Sequence, residues 1–336
     1  MGFYNSALST TSADSTDYKI MAANIWSDTD KKAITFAGRM KTDTVCLGSS
    51  CVEDYDFFQI DSMIYEANSD WHWNGVLGLG PVAQGNGPSI VQTLRDQGVI
   101  GQATASIVMN RNYSRDGDSY VSFGGLPDGA TVGAATQHTI DPEWPSSWTI
   151  KMNGFATNGV PMEGMSGYKA MLNPAQTGIA LNNADFDNLF KGMMPFKCMI
   201  CQCSVVGSCS TFWPDMPSIS ITLEDTVYTL PPQAYTEDYE GSCYLKVQGH
   251  SADQHLYVLG DTFFETFVPT FNIDDGTMTL ALNANAQAGA SISMLSSTAA
   301  VAPTSGLSPV TAGATAGAVL AVSAALYFKR RNTKRA

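Results

Sequence analysis

The sequence has few basic residues, and most of its length has even fewer than the total suggests. Lys and Arg number 18 against 31 Asp and Glu, which gives a formal charge of −13 at pH 7. Five of the bases lie in the last eight residues: Lys329, Arg330, Arg331, Lys334 and Arg335. The rest of the chain therefore has 13 bases against 31 acids, or −18. This balance excludes a general nucleic-acid binder, which needs a basic face.

Charge is absent altogether from one long apolar run, Val310–Phe328. Its 19 residues, at about 1.5 Å each, cover roughly the ~30 Å hydrocarbon core of a bilayer. A buried Ala-rich helix is the alternative, but a charge-free stretch precedes the run and a basic cluster ends it. We predict a transmembrane helix with the basic tail in the cytosol and the body in the lumen or outside the cell. The charged end argues against a lipid-anchor signal.

Residues 1–30 contain no basic-then-apolar signal sequence, although a lumenal body would need one. Met1–Ser6 matches an N-myristoylation pattern, which would instead require a cytosolic N-terminus. We expect that the true N-terminus is missing from this sequence.

Seven cysteines fit an oxidising compartment with one thiol left over. Cys46 and Cys51 can close a short loop, and Cys209 and Cys243 flank a strand-rich segment. The crowded group Cys198, Cys201 and Cys203 can supply one bridge and one free thiol. Zinc is the alternative for that group, but no His lies near it. We expect no metal and no cofactor. Asn112-Tyr113-Ser114 is an N-glycosylation acceptor.

Short β-rich runs separated by Gly, Asn and Asp dominate from Ala33 to Leu282, and 44% hydrophobic residues suffice for a core. Hairpins are predicted at Trp148–Val160, which carries two Asn-Gly pairs, at Ile219–Leu230, and at Phe267–Leu282 with its turn at Asp275-Gly276. Helices are predicted at Pro88–Gly98 and Ala184–Lys191. No βαβ rhythm is present, so Gly78-Leu79-Gly80 is not a dinucleotide-binding loop.

Six segments of the chain carry motifs that follow one another in a characteristic order. The first pair is Asn74–Gly80, which is close to D-G-I-L-G-L-G, and the predicted helix Pro88–Gly98 after it. The others are Tyr120–Asp128, the hairpin Trp148–Val160, the stretch from Cys209 to Cys243, and Tyr257–Phe264, which is close to W-I-L-G-D-x-F. In this order and spacing, the six segments resemble signatures of pepsin-like aspartic proteases, and the resemblance spans roughly residues 34–282.

The resemblance implies a mostly β, bilobal acid-protease fold with an incomplete N-terminal lobe, plus the C-terminal transmembrane helix. The expected units are a partial N-terminal lobe (1–130), a C-terminal lobe (131–282), a Ser/Thr/Ala-rich stalk (283–309), the membrane helix (310–328) and a basic tail (329–336). It also implies an interlobe cleft for a peptide or protein ligand. Val76-Leu77-Gly78 and Val258-Leu259-Gly260 match the two supports of the catalytic loops.

The catalytic residues themselves depart from the family pattern. Met171-Leu172 precede Asn173-Pro174-Ala175-Gln176-Thr177, where the family has Asp-Thr/Ser-Gly-Thr/Ser. Asn173 therefore stands at the second catalytic Asp and Ala175 at the Gly, where an added Cβ would meet closely packed backbone. The first Asp-Thr-Gly should precede a segment like Phe3–Thr11, so we expect it to be absent. The flap should lie in Asn24–Gly38, with Trp26 or Phe36 as its aromatic residue.

Aspartic proteolysis needs two carboxylates that share one proton, and an amide cannot exchange that proton. We therefore expect an inactive, peptide-binding homologue. Misalignment is the alternative, with Asp185, Asp187 or Asp261 as the acid. Asp261 is better suited to a capping or turn role after Leu259-Gly260. Two other functions remain open: an active endopeptidase whose N-terminus is incomplete here, and a surface or adhesion scaffold.

Overall fold

A computed structural model describes residues 9–23, 34–64, 77–81, 88–110, 119–191, 196–199, 202–250 and 255–295. These residues are mostly β, as the sequence predicts. The strands are β1 (Ala13–Ala23), β2 (Ile34–Leu47), β3 (Ser50–Ile64), β4 (Thr104–Val108), β5 (Tyr120–Phe123), β6 (Thr131–Thr139), β7 (Thr149–Thr157), β8 (Val160–Pro161), β9 (Lys169–Leu172), β10 (Ile179–Asn182), β11 (Lys197–Met199), β12 (Gln202–Val206), β13 (Ile219–Leu223), β14 (Thr226–Leu230), β15 (Thr236–Tyr239), β16 (Ser242–Leu245), β17 (Val247–His250), β18 (Leu256–Leu259), β19 (Phe267–Asn272), β20 (Thr277–Asn283) and β21 (Ser291–Met294).

Four short α-helices accompany the strands in the described residues. They are α1 (Ile90–Asp96), α2 (Asn183–Phe186), α3 (Cys209–Phe212) and α4 (Asp261–Thr266). The predicted helix Pro88–Gly98 is confirmed as α1, which Ser89 and Gln92 start with a reciprocal capping box. The second predicted helix is α2, continued by a π-helical turn at Asp187–Lys191.

The strands of the described residues form four sheets. β1-β2-β3 is one, β5-β4-β19-β20-β6 is the second, and β11-β12-β16-β15 is the third. The largest has the order β17-β10-β18-β9-β7-β13-β14-β21, with β8 beside β7. Most neighbours are antiparallel, but β18 runs parallel to β9 and β17 runs parallel to β10. The parallel pairing of β9 with β18 brings the ends of these two strands together, where the candidate site lies.

All three predicted hairpins are present. β7 and β8 turn at Asn158-Gly159, where both residues have positive φ, as a type I′ turn requires. The other Asn-Gly pair, at Asn153, lies inside β7, because β7 continues there in pairing with β13. β13–β14 and β19–β20 form the remaining two, and Gly276 in the last turn also has positive φ.

The core is rich in aromatic side chains. Tyr228, Tyr235 and Tyr257 are fully buried, together with a run of phenylalanines that includes Phe263 and Phe267. Burial raises the pKa of all three tyrosine hydroxyls well above its usual value. Each hydroxyl has a partner: His138 for Tyr228, the Pro217 carbonyl for Tyr235 and Asp185 for Tyr257.

Strand β21 lies after residue 282, where we expected the C-terminal lobe to end, and it pairs with β14. The folded residues thus continue to Leu295, into the stretch where we expected a stalk to begin. No helix among the described residues is long and apolar enough to span a membrane. The predicted span Val310–Phe328 lies outside the described residues, and the bilobal division and remaining unit boundaries stay predictions.

Candidate functional site

The loop from Asn173 to Gly178 joins β9 to β10 and lies beside the end of β18. β9 and β18 run parallel in register, with Leu172 opposite Leu259, so the residues that follow each strand are neighbours. The Asn173 N–H donates to the Leu259 carbonyl at 3.0 Å. This places Asn173 and Gly260 at the same edge of the sheet.

Asn173 directs its side-chain oxygen back at its own loop. Oδ1 accepts from the Ala175 N–H at 3.0 Å, and the Asn173 carbonyl accepts from the Gln176 N–H at 3.1 Å. This is the local turn that Asn and Asp side chains favour. Asn173 is half-buried, and its amide can donate and accept hydrogen bonds but has no proton that titrates in the accessible range.

Gly260 allows the loop to pack closely against the end of β18. A Cβ at this position would lie 2.1 Å from the Gln176 carbonyl oxygen and 2.5 Å from that of Gly178. The Gly260 N–H donates to the Gly178 carbonyl at 3.0 Å. Leu259 beside it is fully buried, and Val258 is half-buried. The segment therefore has the geometry of a support for this loop.

Asp261 ties the same loop from the start of α4. Its N–H donates to the Gln176 carbonyl at 2.9 Å, and its Oδ1 accepts from the Gly178 N–H at 2.6 Å. Oδ1 also accepts from the Thr262 hydroxyl at 3.2 Å. These contacts give Asp261 a structural role at this turn and occupy the carboxylate oxygen that faces the loop. The expected capping role is not seen, because the N-cap of α4 is Gly260 and no side chain caps the helix.

Ala175 and Thr177 are both exposed. The expectation that the Ala175 Cβ would meet closely packed backbone is not met, because the side chain faces outward. Thr177 contributes its carbonyl, which accepts from the Gln176 and Gln248 side-chain amides at 2.7 and 3.3 Å. The tight approach that requires glycine occurs instead at Gly178, which has a φ of +72° and would place a Cβ 2.5 Å from the Lys246 carbonyl.

The N-terminal support differs from the C-terminal one. Val76 lies outside the described residues, and Leu77 is 45% exposed. A Cβ built on Gly78 meets no atom of the described chain within 4 Å. The next residue, Leu79, is anchored through its carbonyl, which accepts from the Trp148 indole N–H at 2.6 Å. In the described residues, no loop packs on Gly78 as one packs on Gly260.

Asp185, an alternative acid, is part of a separate polar cluster. Its Oδ2 accepts from the Tyr168 and Tyr257 hydroxyls at 2.9 and 2.8 Å and from the Asn182 amide. Burial, then the bond to Asp185, raises the pKa of both tyrosines. The cluster holds α2 against β18, which is a structural role. The other alternative, Asp187, is exposed at the start of the π-helical turn. Sequence reasoning missed the cluster, because its members lie far apart in the chain.

The predicted flap falls on the β1–β2 hairpin, in which Ala23 pairs with Ile34. Trp26 lies in the connection, outside the described residues. Phe36 lies in β2, opposite Met21, and its side chain is not described. The choice between the two aromatic residues stays open.

Three disulfides close local and long-range links. Cys46–Cys51 and Cys209–Cys243 pair as the sequence suggested, and the crowded group contributes Cys198–Cys203. Cys201 and the glycosylation acceptor Asn112 lie outside the described residues. No group of three or more His, Cys, Asp or Glu suited to a metal ion occurs among the residues that the structure describes.

The chain is similar to known proteins over most of its length. The model of the eukaryotic aspartyl protease family matches residues 2–283. Pregnancy-associated glycoprotein 1 of Ovis aries is 24% identical over 253 residues, which are 74% of this chain and 63% of that protein.

A pepsin and a chymosin also occur among the relatives. Pepsin A of Bos taurus is 23% identical over 225 residues (66% of this chain, 58% of that protein), and chymosin of Callithrix jacchus is 22% identical over 202 residues (60% and 51%). The chain thus spans between half and two thirds of the length of these relatives. With a family match that covers most of the sequence, the chain belongs to the eukaryotic aspartyl protease family.

Proposed function

We propose that this protein is a membrane-anchored member of the aspartyl protease family that binds peptides without hydrolysing them. The observation that carries the proposal is Asn173. It follows two apolar residues at the end of β9, in the position where the family has its second catalytic Asp, and its amide oxygen is engaged by the Ala175 N–H.

Peptide hydrolysis by this family uses two acids around one water. One carboxylate takes a proton from the water while the other, protonated, polarises the substrate carbonyl. The pair titrates as a unit because two close carboxylates cannot both ionise readily. With an amide at one position, the second proton acceptor is lost, and general acid–base catalysis alone is worth about 10²–10⁴-fold in rate.

The framework around the position is kept. Gly260, Asp261 and Leu259 bind the Asn173–Gly178 loop through main-chain and carboxylate hydrogen bonds. A site that keeps this C-terminal support but not its acid is suited to ligand binding. The ligand class proposed is an extended peptide or unfolded protein segment, in the interlobe cleft that the family resemblance implies.

The disulfides and the predicted membrane span both support the proposed location. Three disulfides indicate an oxidising compartment. We propose that Val310–Phe328 spans the membrane and that the basic residues after it stay in the cytosol. The body then faces the lumen or the cell exterior.

The test uses the full-length chain, together with any segment that precedes it in the cell. Binding of a labelled unstructured protein is measured by fluorescence anisotropy, and its cleavage by electrophoresis, between pH 3 and 7. We expect saturable binding and no cleavage. Asn173→Asp is compared with Asn183→Asp, which adds the same charge at an exposed position in α2.

Cleavage by the unaltered protein would contradict the proposal and favour the active endopeptidase. Absence of binding at any pH would contradict the peptide-binding role and favour a scaffold. Acid-dependent cleavage by Asn173→Asp, with none by Asn183→Asp, would identify position 173 as that of the lost acid.

A further inference from the structure

A lysine lies buried behind the Asn173–Gly178 loop. Lys246, between β16 and β17, is 8% exposed, although lysine is almost never buried without a partner. Its Nζ lies 3.1 Å from Glu265 Oε1 and 3.7 Å from Asp261 Oδ1. The two carboxylates are four residues apart on α4, so they share one face of that helix.

The carboxylate nearer to the loop has a second contact. Asp261 Oδ1 faces Lys246 and also accepts from the Gly178 N–H at 2.6 Å. The same atom therefore links the lysine charge to the loop backbone. Hydrogen bonds to an ionised acceptor are roughly twice as strong as bonds between neutral groups.

The main chain of Lys246 contacts the loop from the other side. Its carbonyl accepts from the Ile179 N–H at 2.9 Å, directly after Gly178. The approach is so close that a Cβ on Gly178 would lie 2.5 Å from this oxygen. Gly178 is thus held between the side chain of Asp261 and the backbone of Lys246.

We propose that Lys246 is the positioning residue of the loop, acting through Asp261. Its ammonium compensates two carboxylates that would otherwise repel each other, and so keeps Asp261 directed at Gly178. Without that charge, the partly exposed Asp261 turns toward solvent and the Gly178 N–H loses its acceptor. An effect of Lys246 on peptide binding rests on the proposed function, since that function takes this loop as part of the peptide-binding surface.

Hydrogen exchange of the full-length chain tests the proposal without a ligand. Peptides covering residues 172–182 are compared by mass spectrometry in Lys246→Met and Lys246→Arg. We expect Gly178 to exchange at least about tenfold faster in Lys246→Met, because its bond opens locally. Lys246→Arg keeps the charge and is expected to restore protection.

Lys169→Met is the matched control. Lys169 pairs with Asp141 and Glu143 at 3.0 and 2.5 Å, on the strand that leads to the loop, but it does not bond to the loop itself. We expect Gly178 exchange in this variant to stay within about twofold of the unaltered chain. Unchanged exchange in Lys246→Met would overturn the proposal.

A further variant covers the case in which Lys246→Met does not fold. Glu265→Gln leaves Lys246 and Asp261 in place, so Gly178 should remain protected. Fast exchange of Gly178 in Glu265→Gln would show that the cluster serves helix packing alone, and would also overturn the proposal. Peptide binding is measured separately, so a chain that binds no peptide contradicts the proposed function while the exchange data still decide the role of Lys246.

Discussion

Gly260 and Gly78 occupy equivalent places in the two predicted loop supports, but the structure predicts opposite responses to alanine. At Gly260, φ is −104°, so the backbone conformation itself does not require glycine. The obstacle is contact, because the new Cβ would lie 2.1 and 2.5 Å from two backbone carbonyl oxygens. Backbone atoms cannot rotate away as a side chain does, so the loop must move. At Gly78, a Cβ meets no described atom within 4 Å.

The cost at Gly260 has two parts. Forcing an extra carbon into a packed site costs about 1–3 kcal/mol. Moving the loop weakens the bonds from the Gly260 and Asp261 N–H groups, each worth about 0.5–1.5 kcal/mol. We therefore expect Gly260→Ala to lower the free energy of unfolding by about 2–6 kcal/mol. Gly78→Ala should change it by no more than about 0.5 kcal/mol, as surface substitutions do.

Urea unfolding, followed by tryptophan fluorescence and circular dichroism, measures both variants. With a urea m-value of about 3 kcal/mol/M, Gly260→Ala should lower the midpoint by about 0.7 M or more, and Gly78→Ala should leave it nearly unchanged. Equal losses in the two variants would refute the reasoning, since they would mean that Gly78 also supports a closely packed loop. No loss in either would show that the 173–178 loop adapts without cost.

Three further predictions concern stability. Replacing the Cys209–Cys243 pair by serines should lower stability by about 3.8 kcal/mol, and replacing the Cys46–Cys51 pair by about 2.2 kcal/mol. The larger loss is expected for the first pair because its sequence separation is 34 residues, against 5 for the second, so it closes a longer loop. Calorimetry measures both losses, and a larger loss for Cys46–Cys51 would contradict the prediction. The pKa values of the core residues Tyr228, Tyr235 and Tyr257 are raised, so above about pH 10 the native state keeps protons that the unfolded state releases. Their contribution to stability is therefore full below about pH 10 and falls as the pH rises further. Absorbance at 295 nm should show that these tyrosines ionise only together with unfolding. Asp185→Leu leaves two tyrosine hydroxyls and an amide without their acceptor, and should cost about 3 kcal/mol or more in thermal unfolding; a loss below about 1 kcal/mol would show that the cluster is not structural.

Local turn chemistry made most of the secondary structure predictable. Asn158-Gly159 forms a hairpin because both residues accept positive φ, and Ser89 starts α1 because its hydroxyl caps a free N–H. The same reasoning cannot separate Asn153-Gly154 from Asn158-Gly159. Only the pairing of β7 with β13, about 65 residues later, keeps the first pair in a strand.

The candidate site was predictable where it depends on a local motif and not where it depends on contacts between distant segments. Asn173 and Gly260 were identified from short motifs, and they do lie side by side. No local motif marks Lys246, because its role depends on contacts with β10, which precedes it in the sequence, and with α4, which follows it. The inequality of Gly78 and Gly260 was also hidden, since it depends on which loop packs against each glycine.

The β5-β4-β19-β20-β6 sheet has a consequence for how the protein is made. In this sheet β4 pairs with β19, and Ser106 of β4 lies opposite Thr270 of β19, 164 residues later in the chain. A ribosome adding about 5–20 residues per second needs on the order of 10–30 s to produce the second partner after the first. During that time β4 has a completed neighbour on one side, β5, and an open edge on the other. An open strand edge pairs readily with other chains. The yield of folded protein should therefore depend on what shields this edge during synthesis, more than on the stability of the finished molecule.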